Sequence, residues 1–138
     1  MPKKLRGQTD HRAAELVDLF PTVLEAADIK IPASGVGLDL LGGEKRQGSF
    51  CALHQRKDEA AFMWRTAGHK LILRMKRNAD DDASKYSTDD IIGGEFYDLN
   101  KDSQEWNDLY SNPKADRKAI ATMTKELMLL LGKQRKLT

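Results

Sequence analysis

The stretch Glu95-Phe96-Tyr97-Asp98-Leu99-Asn100-Lys101-Asp102-Ser103-Gln104-Glu105-Trp106-Asn107-Asp108-Leu109 decides how this chain is read. Its first five residues, with Phe96, Tyr97 and Leu99, predict a strand. Asn100-Lys101 predicts a turn. A short helical turn should follow. Asp102 can accept from its free backbone N–H groups, and Glu105, three residues on, completes a capping-box-like pair. Trp106 and Leu109 then give that turn an apolar side. Read locally, the stretch is strand, cap and turn packed on a core.

Working upstream, 76–94 reads as a long polar loop holding Asp80-Asp81-Asp82 and Asp89-Asp90. The acids lack the regular spacing and closing glutamate of a calcium loop, so a surface loop is the expectation. Ala61 to Thr66 and Lys70 to Met75 predict a hairpin around Gly68. Alternation puts Phe62, Trp64 and Thr66 on one face and Met63 and Arg65 on the other. In the second strand Leu71, Leu73 and Met75 oppose Lys70, Ile72 and Arg74. Ser49 to His54 is a further strand. Near the start, Asp18 is a good N-cap, and Pro21 falls in a first turn where its missing N–H costs little. Phe20, Val23, Leu24 and Ala27 share one helical face. Asp28 tolerates the left-handed conformation that ends a helix. The loop that follows is anchored by Leu38, Leu40 and Leu41. At the other end, Asn112 caps a last helix with Pro113 at its first position. Ile120, Met123, Leu127 and Leu130 make its buried stripe.

The fold class expected is α+β: a small antiparallel sheet packed against a C-terminal helix, preceded by a helix and loop segment. The boundary is expected at 48/49, between an N-terminal part over 1–48 and a small domain over 49–138. The chain's 138 residues have the length of one ordinary domain. With 23 Lys+Arg against 21 Asp+Glu, no dominant basic stripe argues for nucleic acid. The basic runs at Lys3 to Arg6 and Lys133 to Lys136 read as solvated ends. One cysteine excludes an internal disulfide framework. No apolar run approaches the ~20 residues that span a bilayer. The N-terminus shows no apolar stretch of the signal-peptide kind, and localisation stays unknown. Apolar content is 40% and charged content 32%, so the core is not generous. Exposed apolar surface or self-association is expected.

The order of residue types in the opening stretch resembles a segment near the C-terminus of sulfatases, of the alkaline-phosphatase-like superfamily. That segment runs glutamate, leucine, tyrosine, aspartate, leucine, two variable residues, aspartate, proline, then glutamate and an asparagine–leucine pair. Ser103 stands where the family has proline. Asp18-Leu19-Phe20-Pro21-Thr22-Val23-Leu24-Glu25-Ala26-Ala27-Asp28-Ile29 is similar to the family's helix that begins Asp-(Leu/Ile)-x-Pro-Thr. Met63-Trp64-Arg65-Thr66-Ala67-Gly68-His69-Lys70-Leu71-Ile72 resembles its strand pair with Arg-Thr and Lys. A Gly-x-x-Leu-Leu-Gly segment, Gly37 to Gly42, lies between the first two. The resemblance runs from about Leu16 to Leu131. It implies that 1–48 is the end of a sulfatase catalytic domain and 49–138 the small C-terminal subdomain.

Sulfatases hydrolyse sulfuric esters with a formylglycine made from the first residue of a Cys/Ser-x-Pro/Ala-x-Arg signature. Cys51 has neither proline nor arginine at those offsets, and Ser34 and Ser49 fail the same test. The aspartate pairs with which the family holds a divalent cation lie upstream of the region this chain resembles. The resemblance therefore implies calcium and formylglycine for a full-length enzyme, no cofactor or metal in this chain, and no catalytic residue here. The chain alone is expected to be inactive, with a missing upstream catalytic domain as partner. A periplasmic, secreted or lysosomal location is common in the family. Hydrolysis of a sulfate ester needs cations and a proton donor. Arg65, His69, Lys70 and His54 are accordingly the candidates for the rim of a substrate pocket. The competing reading is structural: Arg65 and Lys70 brace a domain interface, and His69 serves a hairpin turn. Two alternatives stay open. One is a stand-alone oligomerising or interaction module derived from a sulfatase. The other is a fragment of a related phosphonate or phosphate monoester hydrolase.

Overall fold

In a computed structural model the described residues are Gly7, Thr9, 11–33, Gly35, 37–53, 57–78 and 82–133. The chain forms two compact units, Met1–Ser49 and Phe50–Thr138.

In the first unit a 3-10 turn at Leu16–Asp18 leads into helix α1, Leu19–Ala26. Asp18 stands at the N-cap position, but its carboxylate makes no cap to α1. It is fully buried and accepts instead from Glu15 N and Leu38 N, both at 2.7 Å, and from the Arg46 guanidinium. Tertiary partners thus outcompete the local cap. Thr22 Oγ1 donates to Asp18 O at 2.6 Å and accepts from Leu40 N at 2.9 Å. The Asp-x-x-x-Thr pair therefore holds the Gly37 to Gly42 loop. Gly37 has φ +102°, and a Cβ there would lie 2.4 Å from Val17 O, so glycine is required. Arg12 fastens the far end of the loop, donating to the carbonyls of Leu40, Gly42 and Glu44. The C-terminus of α1 ends as expected. Asp28 takes φ +57°, with Asp28 N on Glu25 O and Ile29 N on Leu24 O, a Schellman arrangement. The expected apolar face of α1 is mostly in water: Phe20 is 54% and Val23 63% exposed.

In the second unit β1 (Gly48–Leu53), β2 (Glu59–Thr66), β3 (His69–Lys76) and β4 (Ile91–Asp98) form one sheet in the order β1-β2-β3-β4. β1 begins two residues before the unit boundary. β2 and β3 pair antiparallel with Phe62 opposite Leu73 and Arg65 opposite Lys70. β3 and β4 pair antiparallel with Leu71 opposite Phe96 and Lys70 opposite Tyr97. The expected alternation holds: Phe62, Trp64, Leu71, Leu73, Met75 and Phe96 are buried on one face. Helix α2, Arg117–Lys133, covers that face with Ile120, Met123, Leu127 and Leu131. Leu131 takes the fourth place of the stripe, and Leu130 packs at its margin. The Trp64 indole N–H donates to Glu126 Oε2 at 2.8 Å, satisfying the polar end of a buried ring. The architecture is α+β. Among the described residues no helix is long and apolar enough to cross a membrane.

Three local expectations are corrected. β4 starts at Ile91, inside the segment read as loop. Gly94 is there for close approach: a Cβ on it would lie 2.7 Å from Ile72 O and 2.8 Å from the Tyr110 ring. The rest of the segment holds two 3-10 turns, Ala83–Lys85 and Thr88–Asp90, capped by Asp82 and by Ser87 with Asp90. Asp80 and Asp81 lie outside the described residues. Next, no helical turn follows β4. Asp102 accepts from Asn107 N at 2.7 Å, and Glu105, at φ +60°, does not reach back to it. Trp106 is 83% exposed, while Leu109 alone packs on the core. Finally, α2 begins four residues later than expected. Asn112 caps only a single turn, through Lys114 N, and Asp116 Oδ1 caps the helix through Ala119 N at 2.9 Å.

Candidate functional site

The β2–β3 hairpin decides where the candidate side chains go. Side chains one residue apart on a strand point to opposite faces. Arg65 and Lys70, cross-strand partners, share the face away from α2. His69, one residue from Lys70, lies on the α2 face. Its ring stacks on Phe96 with centroids 5.4 Å apart. There it borders a cleft of about 340 Å³ with Asp116, Thr122 and Glu126. His54 lies outside the described residues. The structure thus brings two of the four candidates together and places a third on the other side of the sheet.

What joins Arg65 and Lys70 is Glu105, which the sequence assigned to a cap. Its two carboxylate oxygens take one cation each, Oε1 from Arg65 and Oε2 from Lys70. The Lys70 hydrogen bond, against the opposing effect of burial and with further help from Arg65, holds the Glu105 carboxyl below its ordinary pKa. Lys70 Nζ also lies 5.7 Å over the Tyr97 ring. The Tyr97 hydroxyl donates to Glu95 Oε2 at 2.8 Å. That bond, with burial and the surrounding carboxylates, pushes its pKa up to about 12.

The segment that carries Glu105 is itself pinned. Leu99 N donates to Gly68 O at 2.9 Å, Phe96 N to Asp108 Oδ1 at 3.0 Å, and Leu109 N to Phe96 O at 2.8 Å. Asp98 is held below its usual pKa, chiefly by Lys101. The left-handed backbone at Glu105 costs a non-glycine residue about 1 kcal/mol or more, and the surrounding bonds hold it there. Replacing Glu105 with glutamine should cost about 1 kcal/mol, because the pair with Lys70 is sheltered and that with Arg65 is half in water. A double-mutant cycle with Lys70→Gln tests this; strictly additive effects would contradict the bridge.

Chemically, the cluster is a brace. Its cations are engaged by Glu105, and only Arg65, with its side chain 45% exposed, presents a charged edge to solvent. Among the described residues no group of three or more histidine, cysteine or acidic side chains is placed to hold a metal ion. Asp82 and Asp90, the described acids nearest to a calcium-loop reading, are committed to caps. Ser111 comes nearest to a nucleophile signature, with Pro113 two residues on, but Ala115 stands where arginine is needed.

No family model and no curated protein matches the chain. Solved structures do. One is a protein from Bacteroides thetaiotaomicron VPI-5482 described as a sulfatase, at 20% identity and TM-score 0.62, covering 86% of this chain and 24% of that one. Another is BT4656 in complex with its substrate D-glucosamine-2-N,6-O-disulfate, at 22% identity and TM-score 0.51, covering 87% of this chain and 23% of that one. The chain spans about a quarter of the length of these proteins. It carries a fold found in sulfatases.

Proposed function

From that shared fold we propose that the chain is the C-terminal part of a sulfuric ester hydrolase. In this reading it supplies the last helix and loop of the catalytic domain and the sheet-and-helix subdomain after it. The observation that carries the reading is the Glu105 bridge. It ties the opening stretch to the Arg65–Lys70 strand pair, so two of the family-like motifs form one physical unit. The first motif behaves alike, with Asp18 and Thr22 holding the Gly37 to Gly42 loop. Residue types that look like a family signature are thus the ones with mutual contacts.

The chain's own role is structural. Its described residues do not fit a calcium site, and its sequence lacks the formylglycine signature. Both groups belong, in this reading, to sequence outside this chain. Arg65 is the remaining candidate for contact with an anionic substrate. The exposed apolar side of α1, with Phe20 and Val23, is the surface on which the catalytic part would pack.

Purified alone, the chain should not turn over 4-nitrophenyl sulfate. Joined to the polypeptide encoded upstream of Met1, it should, with 4-nitrophenyl phosphate a poorer substrate. Turnover by the chain alone, lost on Arg65→Ala or Lys70→Ala, would overturn this reading. So would preferred hydrolysis of the phosphate, or an upstream sequence without a Cys/Ser-x-Pro/Ala-x-Arg signature.

A further inference from the structure

We draw no further inference here: the strongest candidate, the apolar groove of about 440 Å³ along α2 lined by Thr88, Ala121, Lys125, Met128 and Leu129, is open to solvent, and nothing in the structure shows what covers it.

Discussion

Asp18→Ala should destabilise the first unit by about 3–5 kcal/mol, the usual consequence of removing one partner of a buried ion pair. The carboxylate is fully buried and binds three groups at once: Glu15 N, Leu38 N and the Arg46 guanidinium. Alanine leaves two backbone donors without an acceptor, and Arg46 keeps only Glu15, at 3.0 Å. Asp18→Asn retains an acceptor oxygen and should cost less, about 2 kcal/mol. Burial pushes the Asp18 pKa up, but the Arg46 hydrogen bond, the two backbone donors and the Arg46 charge outweigh it, so the pKa falls below 3.8. A lowered folded pKa means stabilisation that is complete above the unfolded value and lost as pH falls through the folded one. The first unit should therefore loosen in acid only below about pH 4, and the Asp18→Ala protein should lose that acid dependence. The choice of probe matters. Both tryptophans and all three tyrosines lie beyond residue 49, so fluorescence reports on the second unit alone. Hydrogen exchange at Leu38 and Glu15 reads the first. Unchanged protection there in Asp18→Ala would refute the assignment.

Phe62→Ala should cost the second unit about 3–5 kcal/mol. Phe62 is wholly buried. Its ring lies 5.1 Å, edge-on, from Tyr86 and 6.4 Å from Phe50. Truncation leaves a cavity in the sheet face that α2 covers, and a rigid strand cannot close it. Phe62→Leu should recover most of the loss. Urea titration followed by tryptophan fluorescence measures both. A cost under about 1 kcal/mol for the alanine would show that the ring is not central to the core.

The sequence made the hairpin and the C-terminal helix legible, because both rest on periodicity. Alternation over Phe62, Trp64, Leu71, Leu73 and Met75, and the helical spacing of Ile120, Met123 and Leu127, are each satisfied only by one element type. The same alternation separates His69 from Lys70. Grouping them as rim candidates weighed their chemistry and overlooked the strand period. Gly94 looked like a loop residue because its purpose, room for the Ile72 carbonyl and the Tyr110 ring, lies in segments distant along the chain. The Asp102–Glu105 pattern has the spacing of a capping box, yet Glu105 gains more from two cations 35 and 40 residues away than from one local N–H. The expected roles of Asp18 and Asn112 gave way to partners of the same kind. Asp18 serves a loop twenty residues on, and Asn112 a short turn before the helix.

By itself, then, the sequence determined the β2–β3 hairpin and the C-terminal helix and which faces these bury, since propensity and periodicity act within a few residues. It also determined the family likeness, through the order of three short motifs. Only the tertiary structure decided what the charged residues of those motifs do. A carboxylate binds whichever donors the fold brings within reach, and for Asp18 and Glu105 these come from segments far along the chain.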